Sequence, residues 1–436
     1  MLFFDCLYGP ITIRSPLFRD LAHTPEFFRL RNVRMMNVDT PLCKDLATAS
    51  RFAHTIGVCH LAEWLGHSRE LSIAHQNAVI AAAVLHDMGI PPFGHLIEQM
   101  FDEIDPPFDH ESIARQIVEG TYAPENKYHQ IYAGRTLQVG AVLDKHGVDR
   151  DIVFQLLEPR RFATLIVGAI DLDNIDNVLR MATLLGLGSY RDLAYRLASG
   201  LQVAHGGRVR LSGDIASAAF DWLRLRARCY EIMMYPRSGI AYAALVHDLA
   251  ESAVRSGVIK KDEWYLTDDK LMRRLLDNET TAPLAAQLES GVQYVALTAV
   301  RVFFDSAHGP VLRGERRREF LRTLAAQADT TSLGLSPFAW YEYAKISRSI
   351  DFEGGHGPSV IGEPSSTAVV ALIRTAEVRR GDKNSTAHII KHWVTLVHQT
   401  AEHFAPVVRI APLPDSRHFS SDPFDDGTQL SIFDEA

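Results

Sequence analysis

Hydrophobic and polar positions along the chain recur mainly with the period of a helix. Between Ser50 and Leu65, the residues Phe52, Ile56, Cys59, Leu61 and Leu65 fall mostly three and four apart, which places them on one helical face. Residues 77–88 are nearly all apolar, so they predict a helix enclosed by others. Residues 165–185 repeat the pattern through Ile166, Ile170, Ile175, Val178, Leu179 and Leu184. Further helices are predicted over 215–235, 240–256, 269–276 and 315–326, and the stretch 294–304 reads as a strand or hairpin edge. No repeat of solenoid length is present.

Punctuation divides the chain. Residues 351–367 carry many Gly, Pro and Ser, the composition of a linker. This predicts a main domain over 1–350, a linker over 351–367, a C-terminal helical segment over 368–405 and a mobile tail over 406–436. The predicted class is mainly α, a helical bundle with a smaller C-terminal helical part and minor β.

Composition narrows the function classes. The chain has 436 residues, 47 % apolar and 22 % charged, enough to bury a core. Its net charge of −8 argues against a protein that coats nucleic acid, so such a contact would be a local patch. The longest apolar run, Ala78 to Leu85, is far short of a membrane span. The N-terminus lacks the basic lead and apolar stretch of a signal peptide. Four scattered cysteines, Cys6, Cys43, Cys59 and Cys229, show neither metal spacing nor a disulfide framework. The expectation is a soluble cytoplasmic protein without a membrane partner.

Candidate chemistry lies in imidazoles and carboxylates on separate helices. His54 falls in the first helix, His86 and Asp87 end the apolar one, and Asp173 lies in Asp171-Leu172-Asp173-Asn174-Ile175-Asp176. Polar groups at the end of a buried helix are costly unless partnered. A divalent cation would satisfy them, and so would ordinary helix capping. The dipeptide alone does not decide, because Val246-His247-Asp248 repeats it in a plain helical setting. His388 and His392, four apart, lack a completing carboxylate or Cys and read as a solvated helix face. The basic run Arg313 to Arg318 reads as a charged helix face or a local nucleotide contact. No phosphate-binding loop, dinucleotide fingerprint or nucleophile elbow is found.

The surroundings of these residues carry a resemblance. Arg51 to Val58, then Leu85-His86-Asp87-Met88-Gly89-Ile90-Pro91-Pro92-Phe93-Gly94-His95, then Asp109-His110-Glu111-Ser112, then Asp171 to Asp176 resemble the HD-domain phosphohydrolases. Within them the chain is most similar to the deoxynucleoside triphosphate triphosphohydrolase (dGTPase-like) family. Tyr8-Gly9-Pro10-Ile11, Thr24 to Arg31 and Tyr265-Leu266-Thr267-Asp268 are similar to flanking segments of that family, so the likeness extends over residues 1–275. The resemblance implies a helical HD domain in which His54, His86, Asp87 and Asp173 bind one divalent transition metal (Mn, Fe or Zn), with room for Mg as a second ion. It implies that His95 and Glu98 handle protons, that His110 is a further active-site histidine, and that Arg51 faces substrate. The implied reaction converts a deoxynucleoside triphosphate to nucleoside plus triphosphate, in a chain that self-associates as a homo-oligomer.

Departures from the family pattern leave alternatives open. Ile90 stands where the family usually has His, and Asn174, Asn177 and Met181 replace its Lys, Tyr and Asp. The metal positions are kept while the substrate cradle is rebuilt. A nuclease or phosphodiesterase on DNA ends therefore stays open, as does a non-catalytic nucleotide sensor or clamp-associated scaffold. The tail residues Gln429-Leu430-Ser431-Ile432-Phe433 resemble the short motif with which bacterial proteins dock on the β sliding clamp, offering one amide and three apolar side chains to a groove.

Overall fold

The computed structural model describes residues 1–36, 43–102, 108–121, 137–158, 164–203, 209–292, 294–305, 311–312, 314–341, 348–353, 358–361, 366–375 and 383–413. The clamp-like residues 429–433 lie outside them. The fold is mainly α, and no helix among the described residues is long and apolar enough to cross a membrane. The chain divides into two compact units, one of residues 1–229, 245–293 and 344–364, the other of residues 230–244, 294–343 and 365–436.

The first unit is a helical bundle preceded by a hairpin of β1 (Leu2–Asp5) and β2 (Gly9–Thr12). Its central elements are α1 (Arg51–Ser68), α2 (Ile73–Leu85), α3 (His95–Asp102), α4 (His110–Glu119) and α5 (Leu172–Leu184). Four of them begin at a capping side chain, Ser50, Ser72, Asp109 or Asp171. Ser50 accepts from the Ala53 N–H to cap α1, and Asp109 accepts from the Glu111 and Ser112 N–H groups to cap α4, satisfying donors that a helix start leaves orphaned. Ala78 to Leu85 is buried without a break, as its uniform apolarity predicts. The helix expected over 165–185 is shorter. Residues 164–171 are irregular, and α5 starts at Leu172 because Asp171 caps it by accepting from the Asn174 N–H at 2.6 Å.

The second unit runs strand, helix, strand, strand, helix, strand: β3 (Val295–Phe304), α6 (Gly314–Ala328), β4 (Leu335–Tyr341), β5 (Ser366–Arg374), α7 (Lys383–Glu402) and β6 (Val407–Pro412). The sheet is fully antiparallel with order β6-β3-β5-β4, the split β-α-β arrangement of ferredoxin-like folds. This corrects three boundaries read from sequence. Residues 368–405 are not one helical segment, because Val369, Val370, Leu372 and Ile373 are buried in a central strand. β-branched runs with both faces covered suit a strand better than a helix. The tail predicted from 406 begins with a strand that pairs Ile410 with Val302. Within the linker over 351–367, residues 358–361 pair with 348–351 in a hairpin.

The basic run of α6 is engaged with its own unit. Arg316 donates to the Phe404 carbonyl, Arg317 to the Ala339 carbonyl, and Arg318 pairs with Glu315. His388 and His392 are exposed with ring centroids 4.4 Å apart. His247 lies mid-helix within Arg237–Arg255, 4.0 Å from Glu251.

Trp393 is fully enclosed against β5 and donates its indole N–H to the Val370 carbonyl at 3.4 Å. Trp393→Ala is expected to destabilise this unit by about 3–5 kcal/mol. Hydrogen exchange should then quicken in residues 295–304 and 366–374; protection equal to wild type there would contradict the packing described.

Candidate metal centre and proton-handling cluster

Three helices bring four side chains to one point. His54 comes from the first turn of α1, His86 caps the end of α2, Asp87 follows it, and Asp173 lies in the first turn of α5. His54 Nε2 stands 2.8 Å from Asp173 Oδ1, 3.4 Å from His86 Nε2 and 3.9 Å from Asp87 Oδ2. His86 Nε2 lies 3.4 Å from Asp87 Oδ2 and 3.8 Å from Asp173 Oδ1. Donor atoms bound at about 2.1 Å around a tetrahedral ion stand about 3.4 Å apart, so the spacing fits one cation.

The tautomers make the same point. His54 Nδ1 faces Asp176 Oδ1 at 2.8 Å, and His86 Nδ1 faces the Ala83 carbonyl at 2.8 Å. Both partners are acceptors, so both Nδ1 atoms carry the proton and both Nε2 atoms are bare in the neutral rings. Two bare nitrogens and two carboxylates then converge in a buried pocket. Burial opposes a charge on His54, but the hydrogen bonds and charges of Asp173 and Asp176 outweigh it and lift its pKa to about 9. The pocket therefore draws positive charge. A metal ion meets all four donors together, whereas protons would set two N–H bonds head to head. His54, His86 and Asp87 form a group that could hold a metal ion, and Asp173 faces both imidazoles.

A second cluster adjoins the first in sequence. Glu98 Oε2 lies 2.6 Å from His95 Nδ1, and Glu98 Oε1 accepts from both the Nδ1 and the backbone N–H of His110. This trio also satisfies the geometry of a metal-holding group, but one carboxylate already takes both ring protons. Withdrawal from water, then Arg51, pushes the His95 pKa below its usual value. Burial acts the same way on His110, yet Glu98 overrides it and raises that pKa to about 9. The two shifts run in opposite directions, favouring the neutral form of His95 and the protonated form of His110.

Close approach explains two glycines. A Cβ on Gly57 would lie 1.9 Å from Asp176 Oδ2, and one on Gly89 would lie 2.4 Å from the His110 carbonyl. The flanking segments noted in the sequence converge on the loop after Asp87. Arg29 donates to the carbonyls of Met88, Ile90, Trp264 and Leu266. Asp268 accepts from the backbone N–H groups of Phe93 and Arg34, which holds Phe93 at φ 60°, a costly backbone for a residue with a side chain.

Other expected residues have definite places. Arg51 is buried, and its Nη1 donates to both oxygens of Asp87 at 2.7 and 2.8 Å. Ile90 and Met181 are wholly buried. Asn174 turns back to Asp171, and the Oδ1 of Asn177 is buried without a hydrogen-bond partner among the described residues. Arg226, which the sequence reading passed over, brings Nη1 to 3.5 Å from Asn174 Oδ1. It lies 52 residues along the chain on another helix, so no local pattern marks it.

Residues 51–181 match the HD domain family model, and the chain carries an HD domain. It is similar to the uncharacterized protein YwfO of Bacillus subtilis, 29 % identical over 198 residues, 43 % of this chain and 40 % of that protein. It is also similar to the deoxyguanosinetriphosphate triphosphohydrolase-like protein 1 of Deinococcus radiodurans, 33 % identical over 131 residues, 29 % of this chain and 34 % of that protein. Deoxynucleoside triphosphate triphosphohydrolase SAMHD1 of Danio rerio is 36 % identical over 107 residues, 23 % of this chain and 17 % of that protein. The matched part thus spans well under half the length of these curated relatives.

Gly57→Ala is expected to displace Asp176 and release His54 Nδ1, lowering divalent-metal affinity as well as stability. Titration of the folded variant with Mn²⁺ checks this, and wild-type affinity would show that the close approach is not needed.

Proposed function

We propose that this chain is a metal-dependent phosphohydrolase that converts deoxynucleoside triphosphates to nucleoside and triphosphate by attack at the α-phosphorus. The convergence of His54, His86, Asp87 and Asp173 on one point carries the reading. The HD domain over residues 51–181 and the likeness to named triphosphohydrolases support the substrate class. His₂Asp₂ ligation suits Mn, Fe or Zn, with room for Mg as a second ion. When bound, the transition metal supplies Lewis acidity toward a phosphoryl oxygen and a lowered pKa for water.

The chain's own residues supply the remainder. Arg51, fixed on Asp87, presents a permanent positive charge beside the centre for phosphate oxygens. Arg226, beside Asn174, supplies a cation near the position where related enzymes carry Lys. His95, neutral with its Nδ1 proton on Glu98, offers a bare Nε2 to accept a proton. His110, protonated through the same carboxylate, can give one to the departing oxygen. Glu98 keeps the two rings in complementary states.

The test is chromatography of products after metal-reconstituted protein meets all four deoxynucleoside triphosphates. Nucleoside and intact triphosphate are expected, with the rate falling above about pH 9 as His110 loses its proton and falling in acid as His95 gains one. The double variant His86→Ala, Asp87→Ala should lose both metal and turnover. With metal bound, an unchanged mixture or release of shorter phosphates contradicts the reading. Degradation of single-stranded or nicked DNA in its place identifies a nuclease, and tight nucleotide binding without turnover identifies a sensor.

A further inference from the structure

Behind His54 lies a buried chain of charges that reaches the N-terminal hairpin. Asp176 Oδ1 accepts from His54 Nδ1 and from Arg180 Nε, each at 2.8 Å. Asp176 Oδ2 accepts from the Tyr8 hydroxyl at 2.9 Å and from Arg180 Nη2 at 3.0 Å. The remaining arm, Arg180 Nη1, donates to Asp5 Oδ2 at 2.8 Å. All five of these side chains are buried. One guanidinium is thus shared between two carboxylates, and one of those carboxylates orients a candidate metal ligand.

Groups behind a ligating imidazole tune its affinity by setting how strongly the far ring proton is drawn away. The more charge Asp176 keeps, the more electron-rich His54 Nε2 becomes. Arg180 and the Tyr8 hydroxyl both draw on that charge, while Asp5 draws on Arg180. In a site of low polarity such transfers are not screened by water.

We propose that Asp5 and Tyr8 are positioning residues that set the metal affinity of His54 in opposite directions through Asp176. Asp5 strengthens binding because it takes up part of the Arg180 charge. Tyr8 weakens binding because its hydroxyl takes up part of the Asp176 charge. The β1–β2 hairpin is thereby an electrostatic part of the centre as well as a structural neighbour. This rests on the reading of His54 as a metal ligand.

The experiment measures the Mn²⁺ dissociation constant of the full metal-free chain by competition with a fluorescent chelator, so it needs no substrate. Asp5→Asn keeps the Oδ1 that accepts from the Leu7 and Tyr8 N–H groups but removes the charge facing Arg180. It should raise the dissociation constant. Tyr8→Phe should lower it. Asp176→Asn should raise it by about 10- to 100-fold, more than Asp5→Asn. Each variant loses one or more buried hydrogen bonds, so a purely structural role would lower thermal stability in all and move affinity one way or not at all. Equal or same-direction shifts for Asp5→Asn and Tyr8→Phe would overturn the proposal while leaving the metal reading standing. Failure of the wild-type chain to bind Mn²⁺, Fe²⁺ or Zn²⁺ would overturn both.

Discussion

Two imidazole nitrogens that carry no proton in their neutral rings face each other across 3.4 Å, with a carboxylate oxygen on either side. Left to itself this arrangement is unfavourable, since four lone-pair donors in a buried pocket repel one another. Much of the HD domain is arranged to hold it in place. Asp176 and the Ala83 carbonyl fix the tautomers from behind, and Arg51 clamps Asp87 from the side. A cation at the focus would turn the repulsion into coordination.

The distant segments of the sequence acquire a purpose on this basis. Arg29 ties four carbonyls from two separate segments together, so the loop after Asp87 cannot shift without leaving buried acceptors unpaired. Asp268 holds the strained Phe93 just before His95. Gly89 lets α4 approach until His110 reaches Glu98. The candidate metal centre and the cluster of His95, Glu98 and His110 are thus placed by the same few backbone contacts.

Legibility in the sequence followed the range of the interaction. The apolar run from Ala78 to Leu85 announces a buried helix by composition alone, and His86-Asp87 marks its end. The ordered motifs, taken by resemblance, point to the side chains that the structure brings together. Asp176 and Arg180, four apart, look like any helical ion pair on a solvated face, and only the packing of the hairpin shows them to be buried. The strand at 366–374 was hidden because a short apolar run suits helix and strand alike until its partners on both sides are known. The irregular stretch before α5 was hidden because Ile166 and Ile170 keep the helical period, while the cap at Asp171 acts through one side-chain bond.

The most direct test of the central claim is anomalous X-ray diffraction from crystals of the chain grown with Mn²⁺. The account predicts one strong peak between His54 Nε2, His86 Nε2, Asp87 Oδ2 and Asp173 Oδ1. A peak at His95, Glu98 and His110 instead, or no peak with the four side chains in the positions described, would contradict it.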